Sequence, residues 1–253
     1  MSNYHETILL VLLFRGQDES STFGLPLWAA MKELTAFYKR LRPDVEFRQH
    51  YLSLHVPQIV AREEGEKALN CSVISDALQS EDFWHRARGG YKRCLDQQVL
   101  YAMVRDLLVS ATCAEDVTRE TRMLLVTDQE ITPPKEWRYI IAGRAGDGVV
   151  VSIAPLNPVY WSERDPDRVA TVKRRARSMC ICVVGEALDF ERCDNEHCFM
   201  FGNVDSVLRL DHMLMLGSEH DHPELTGYGF EPRPTMPMRV QPIEEIRSPE
   251  ALP

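Results

Sequence analysis

The apolar run Ile8–Phe14 constrains the fold more than any other segment of the chain. Its seven residues are too few to cross a membrane, and no other apolar run approaches the required length. It is flanked by His5 and Glu6 rather than by a basic region, and no small-residue cleavage site follows. We therefore predict a buried strand here and no signal peptide.

Strand and helix patterns alternate along the rest of the chain. Strand patterns cover 6–15, 45–56, 121–128, 137–143 and 148–155. Helical patterns cover 25–41, much of 58–112 with its clearest part at 96–111, and a segment that starts at 165–167 and ends near 189. Pro26 fits the first turn of the first helix. The order β-α-β-α-β-β-α predicts an α/β (α+β) fold, with a mixed twisted sheet and flanking helices.

The chain is predicted to form one domain over residues 1–222, followed by a proline-rich tail over 223–253. Seven prolines and two glycines occur in the 31 residues of this tail. Such a composition predicts an extended strap or a flexible arm rather than a second domain.

The charge balance argues against nucleic acid as a partner. The chain has a net charge of −9 and a pI of about 5.4, so it would repel a phosphate backbone. The basic stretch KRRAR, 173–177, is a local exception, and we interpret it as a solvated helix face. With neither a membrane-spanning run nor a signal peptide, we expect a cytoplasmic protein that does not bind membranes.

Seven cysteines in a chain without a predicted secretory signal argue against disulfides. Three are scattered and are expected to behave as small buried hydrophobic residues: Cys71, Cys94 and Cys113. The other four cluster within nineteen residues: Cys180, Cys182, Cys193 and Cys198. This clustering points to a metal site.

The segment CDNEHCFM, 193–200, resembles part of the zinc-binding motif of the archaemetzincins, a branch of the metzincin zinc peptidases. The family motif runs HExxHxxGxxHC-x4-CxM, with a CxxC pair further along. Its histidines bind a catalytic zinc, its glutamate polarises the zinc-bound water, and its methionine lies beneath the metal. Its four cysteines bind a second, structural zinc. Less specific similarity covers about residues 6–222, including 91–108, 124–131 and 142–156.

The resemblance implies a metzincin-like fold whose catalytic positions hold other residues. Five positions differ from the motif: Cys182 (first histidine), Val183 (catalytic glutamate), Glu186 (second histidine), Asp189 (glycine) and Arg192 (third histidine). Arginine keeps its proton and cannot bind zinc, and valine cannot act as a base. We therefore predict that an ion pair between Arg192 and Glu186 occupies the place of the catalytic zinc.

The structural zinc site is half retained. Cys193 and Cys198 match two of the family's cysteine ligands, and Met200 matches its methionine. Seventeen residues beyond Met200, SEHD replaces the CxxC pair, although His220, Asp221 and His222 offer other ligands. Two alternatives remain open: a zinc bound by the two cysteines and two of these three residues, His220 and His222 first among them, or a lost zinc and two free thiols.

The resemblance leads us to expect a catalytically inactive, peptidase-like protein that binds a peptide or protein partner. The expected binding surface is either the cleft or an edge strand near 148–154, because an edge strand can pair with an extended chain. Its central residues are Val150, Val151 and Ser152. The proline-rich tail could supply the contact instead, or could itself lie in the cleft.

An enzymatic alternative stays open. Cys182 and Glu186, with a third group from elsewhere, could hold a catalytic zinc and make the chain an active metallopeptidase. Cys182 could instead be the nucleophile of another hydrolase, paired with a histidine that is distant in sequence. The candidates for this partner are His50, His55 and His85.

Overall fold

A computed structural model of the chain describes residues 6–15, 17–53, 95–110, 121–132, 140–195, 198–201, 204 and 206–213. Several predictions fall outside these residues: the tail 223–253 and its boundary at 222, the zinc ligands His220 and His222, the histidines His55 and His85, and the scattered Cys71, Cys94 and Cys113. The described part contains the sheet, the helices around it and the segments that carry the cysteine cluster.

The described elements alternate between strands and helices, as the sequence predicts. In chain order they are β1 (Glu6–Phe14), α1 (Gln17–Leu41), β2 (Val45–Ser53), β3 (Leu95–Asp96), α2 (Gln97–Ser110), β4 (Thr121–Thr127), β5 (Ile131–Thr132), β6 (Ala142–Ala145), β7 (Gly148–Ser152), α3 (Arg168–Ala187) and α4 (Val207–His212). Two short 3-10 helices, Ala154–Leu156 and Pro158–Trp161, lie between β7 and α3. None of the described helices combines the length and the apolar character needed to cross a membrane.

Five strands form one sheet in the order β2-β1-β4-β7-β6. The first four run parallel, and β6 runs antiparallel to β7. Alternate residues of β1 belong to different cores: Leu10 shares one with α1 and α3, and Leu9 shares the other with α2. Helices on both faces therefore bury β1, which explains its continuous apolar run. The predicted class is confirmed: a mixed, mainly parallel sheet flanked by helices.

The predicted binding edge at Val150, Val151 and Ser152 is wrong, because these residues lie in the internal strand β7. β7 pairs with β4 on one side and with β6 on the other, and all three residues are fully buried. The turn at Gly146 and Asp147 folds β6 back along the outer side of β7. Within the described sheet, the strand at this edge is β6.

The helix α1 begins at Gln17, eight residues before the predicted start, so Pro26 lies inside it rather than in its first turn. An interior proline removes a helical hydrogen bond and costs about 3 kcal/mol. Phe23 and Leu27, on either side of this proline, are almost completely buried. Burial of side chains of this size stabilises by about 1.5–3 kcal/mol each. Packing of the helix against the sheet therefore outweighs the proline.

The helix α3 lies within the predicted span 165–189 and closes in a Schellman arrangement. The backbone N–H of Asp189 donates to the carbonyl of Glu186 at 3.1 Å, and that of Phe190 donates to the carbonyl of Gly185 at 2.9 Å. Asp189 takes a left-handed conformation, with a φ of 60°. Glycine is favoured at such a position because it has no Cβ atom, and glycine is the family's residue here.

Replacement of Asp189 by glycine is expected to raise the free energy of unfolding by about 0.5–1 kcal/mol, because it relieves the left-handed strain. Asp189→Ala is the control, since alanine also lacks the carboxylate but keeps the Cβ atom. We expect the alanine variant to be less stable than the glycine variant in urea unfolding. Equal stability of the two variants would show that the backbone conformation is not the cause.

The KRRAR segment of α3 is not the solvated helix face that the sequence suggested. Lys173 and Arg177 both bind the carboxylate of Glu33 in α1, each at 2.7 Å. Arg175 is buried and forms two hydrogen bonds with Asp211 of α4. Burial acts to raise the pKa of Glu33, but its two cationic partners outweigh this effect and the pKa lies below its usual value. These basic residues therefore link α3 to α1 and to α4.

Candidate functional site

The C-terminal half of α3 carries three of the positions that the resemblance singles out. Cys182 and Glu186 are four residues apart and so share one face of the helix. Cys182 is 2% exposed, and its Sγ lies 3.9 Å from the carbonyl oxygen of Phe201. Val183 is buried in the apolar core and offers no group that could accept a proton.

The predicted ion pair between Arg192 and Glu186 is confirmed. Arg192 reaches back from the segment after α3, and its side chain is 53% exposed, whereas that of Glu186 is 14% exposed. The carboxylate is thus mostly shielded from water. The positive charge of Arg192 also acts on the thiol of Cys182, so the structure brings the three polar positions together.

A catalytic zinc does not fit this group of residues. The guanidinium of Arg192 has no lone pair to offer a metal, and it already pairs with the carboxylate of Glu186. Among the described residues, no three His, Cys, Asp or Glu side chains are grouped so that they could hold a metal ion.

The thiol of Cys182 is expected to react slowly with alkylating reagents. Burial raises the pKa of Cys182 to about 11, although the charge of Arg192 opposes the rise. Since the thiolate is the reactive form, a pKa about two units above the ordinary value reduces the rate by about 100-fold at pH 8. Mass spectrometry after iodoacetamide treatment measures this rate in the folded chain and in the urea-unfolded control. Similar rates in both states would support the alternative in which Cys182 is a nucleophile.

Met200 packs against α3 at Gly185. A Cβ atom at Gly185 would lie 2.3 Å from Met200 Sδ and 2.8 Å from the hydroxyl oxygen of Tyr38. Only glycine allows this close approach. The hydroxyl of Tyr38 donates to the carbonyl of Ile181 at 2.5 Å, and burial holds the pKa of Tyr38 well above its usual value. The sequence does not reveal Tyr38, because this contact joins residues 143 positions apart.

The side chains of Cys193 and Cys198 lie close enough to interact. The backbone N–H of Cys193 donates to the carbonyl of Met200 at 2.8 Å and draws the segment together. The sulfur of Cys193 accepts a hydrogen bond from the N–H of Asn195, and that of Cys198 from the N–H of Met200, each at 3.4 Å. Burial raises the pKa of Cys198 to about 12. The backbone donor to Cys198 opposes this rise, because hydrogen bonds from N–H groups stabilise a thiolate.

The outer edge of β6 is largely covered by other elements. The carbonyl of Ile141 bonds to β7, so the backbone groups of Ala142 and Arg144 point away from β7. The carbonyl of Arg144 accepts hydrogen bonds from two glutamine side chains at the start of α2. The N–H of Ile140 donates to the carbonyl of Ile131 in β5 at 3.0 Å. Ala142 lies between these two occupied positions.

The helix α2 holds the turn between β6 and β7 in place. The glutamines that bind the β6 carbonyl are Gln97 and Gln98, at 3.0 and 2.8 Å. The hydroxyl of Tyr101 donates to the carboxylate of Asp147 at 2.6 Å, and Arg105 forms an ion pair with the same carboxylate. Burial raises the pKa of Tyr101, and its hydrogen bond to Asp147 adds to this effect. These contacts tie the turn between β6 and β7 to α2.

Comparison with known proteins finds similarity in three-dimensional structure. No protein-family model matches the chain, and no curated protein matches it significantly. Among solved structures, archaemetzincin from Methanopyrus kandleri is 15% identical, with a TM-score of 0.47 over 83% of this chain and 87% of that chain. A zinc-dependent peptidase from Methanocorpusculum labreanum (strain Z) is 16% identical, with a TM-score of 0.43 over 81% and 93%. Similarity this distant does not extend to activity or metal binding.

Proposed function

We propose that this chain is a peptidase-like protein that does not hydrolyse peptides and instead binds an extended peptide segment. The ion pair between Arg192 and Glu186 is the observation that carries the proposal. It occupies two positions at which an archaemetzincin-like peptidase would have zinc-binding histidines. A guanidinium cannot replace an imidazole as a zinc ligand.

Among the described residues, neither Val183 nor Cys182 can replace the family's catalytic base. Val183 stands where the family has its glutamate, and it is buried among apolar side chains. The thiol of Cys182 keeps its proton at neutral pH, because burial raises its pKa to about 11. Neither side chain can polarise a water molecule. These features favour binding over a metallopeptidase that uses Cys182 and Glu186 as ligands.

Ala142 is the position of β6 best suited to receive a peptide backbone. Its N–H and carbonyl point outward, between the occupied backbone groups of Ile140 and Arg144. A peptide residue opposite Ala142 can form two backbone hydrogen bonds, each with a net contribution of about 0.5–1.5 kcal/mol. Side-chain contacts beside this position would have to supply the rest of the affinity.

Replacement of Ala142 by proline is expected to weaken peptide binding about tenfold, because proline removes the outward N–H while the bonds between β6 and β7 remain. Fluorescence anisotropy with a labelled pool of unstructured ten-residue peptides measures the affinity. Ala142→Ser, which keeps the N–H, is the matched control. Equal affinity of the two variants, or no binding by the unmodified chain, would exclude strand addition at this position.

The absence of hydrolysis is tested separately with the same peptides. We expect no cleavage above a buffer blank, whether or not a zinc chelator is present. Chelator-sensitive turnover would overturn the main claim and revive the metallopeptidase alternative. Cleavage and binding are measured in separate assays. A result against one claim, the absence of hydrolysis or the binding of peptides, therefore does not decide the other.

A structural zinc would be held by Cys193 and Cys198, together with His220 and His222. The backbone donors that face both sulfurs support this part of the proposal. We expect elemental analysis to find one zinc per purified chain and to find it lost in Cys198→Ser. No zinc in the unmodified chain would contradict the structural site, and two zincs per chain would contradict the claim that the catalytic metal is missing.

A further inference from the structure

The short helix Pro158–Trp161 presents a rigid aromatic surface that the proposed peptide site does not use. The ring centroids of Tyr160 and Trp161 lie 5.0 Å apart with an interplanar angle of 71°, so the rings meet edge to face. The indole N–H of Trp161 donates to the carbonyl of Pro155 at 2.8 Å, which fixes the ring. Trp161 is 38% exposed and Val159 is 56% exposed. We call Val159, Tyr160 and Trp161 the aromatic surface.

We propose that the proline-rich segment 232–237 of the same chain docks on the aromatic surface. This segment, PRPTMP, has three prolines in six residues and lies outside the described residues. Prolines at this density favour the polyproline II conformation. A polyproline II segment loses little conformational entropy when its proline rings pack against exposed aromatic side chains, and such segments are usually bound on aromatic surfaces.

The described chain ends close to the aromatic surface. Asp211 of α4 is bound by the guanidinium of Arg175, which also donates to the carbonyl of Leu156 at 3.0 Å. Leu156 directly follows Pro155, whose carbonyl holds the indole of Trp161. The last described helix, α4, is therefore tied to the same short segment that carries the aromatic surface.

The tether between α4 and the proposed ligand has a suitable length. Residues 214–231 give a spacer of 18 residues, which can span up to about 60 Å when extended. A short flexible tether gives an effective concentration of about 1 mM. If the dissociation constant of the contact is about 0.1 mM, the segment would then be bound in about nine-tenths of the chains. The same contact would be weak between separate chains.

The charges near the two partners are complementary. The tail segment 232–239 contains Arg233 and Arg239 and no acidic residue, in a chain whose net charge is −9. Glu163 is exposed two residues after Trp161, and its N–H bonds to the carbonyl of Pro158 at 3.0 Å. This bond folds the segment that carries Glu163 back onto the short helix, beside the aromatic surface.

Fluorine NMR of the full-length chain labelled with 5-fluorotryptophan tests this docking. The resonance of Trp161 is assigned by its loss in Trp161→Phe. We expect this resonance to shift by more than its linewidth in the double variant Pro234→Ala with Pro237→Ala. The matched control, Pro249→Ala with Pro253→Ala, changes two prolines of the same tail outside the docking segment and is expected to leave the resonance unchanged.

A synthetic peptide of residues 230–240 distinguishes docking within the chain from the other possible occupants. We expect half-saturation at about tenfold lower peptide concentration in the double variant than in the unmodified chain, where the tether competes. Equal half-saturation, or an unchanged Trp161 resonance in the double variant, would overturn the proposal. So would a shift that depends on protein concentration, which would show that a second copy supplies the segment.

Discussion

Replacement of Arg175 by alanine is expected to lower the free energy of unfolding by about 3 kcal/mol, the range for a broken buried ion pair. The Arg175 side chain is 5% exposed, and all three of its guanidinium nitrogens are bound. Two of them donate to the carboxylate of Asp211 at 2.9 and 2.7 Å, and the third donates to the carbonyl of Leu156 at 3.0 Å. Alanine leaves both acceptors without this partner and leaves a cavity between α3 and α4. Urea unfolding followed by circular dichroism measures the loss.

Arg174→Ala is the matched control for this prediction, because Arg174 precedes Arg175 on the same helix and pairs with the same carboxylate at 2.9 Å. Its side chain is 45% exposed, so its loss should lower stability by less than about 1 kcal/mol. Arg175→Lys keeps the charge but cannot form the paired hydrogen bonds, and an intermediate loss is expected. Similar losses for the two alanine variants would contradict the role assigned to Arg175.

The strands and the order of elements could be predicted because their signals are local. The predicted strand 6–15 is observed at Glu6–Phe14, and the predicted strand 121–128 is observed at Thr121–Thr127. In both, helices cover the two faces of the sheet, so a continuous apolar run is enough to mark the strand. No partner far along the chain has to be known for such a prediction.

The errors in the fold prediction arise where a residue's environment is set by a distant element. Lys173 looks like a solvated cation in the sequence, yet it binds Glu33, 140 residues away. The apolar pattern of β7 shows that the strand is buried, but it does not show that β6 folds outside it and takes the edge. Sequence patterns record polarity and spacing, whereas these outcomes depend on which elements become neighbours.

The residues of the candidate site also fall into two groups: those that the sequence could predict and those that it could not. The ion pair between Arg192 and Glu186 could be predicted, because both residues lie in one short segment whose spacing fixes their positions. The roles of Tyr38 and Gln97 could not, since each comes from another helix and depends on how that helix packs. The sequence therefore predicts the contact between Arg192 and Glu186, but not the contacts that Tyr38 and Gln97 make.

Replacement of Gly185 by alanine is expected to lower the free energy of unfolding by about 2 kcal/mol. In a helix with open space around the glycine, the same change would raise the free energy of unfolding by about 0.5–1 kcal/mol, because glycine has the greater conformational freedom in the unfolded chain. Here a Cβ atom would lie 2.3 Å from Met200 Sδ and 2.8 Å from the Tyr38 hydroxyl oxygen, so one of these groups must move. Met200 is fully buried, and Tyr38 is held by its bond to Ile181. The clash therefore reverses the sign of the usual effect, and urea unfolding measures it.

Two further variants separate the effect of this clash from the difference in helix propensity between alanine and glycine. Ala170→Gly, at an exposed position of α3, measures the preference alone and should lower stability by about 1 kcal/mol. Gly185→Ala combined with Met200→Ala should be more stable than the sum of the single losses predicts, by at least about 1 kcal/mol, because the shortened side chain makes room. If Gly185→Ala stabilises the chain, or if the two losses add without coupling, the close approach of α3 to Met200 is not what requires glycine at this position.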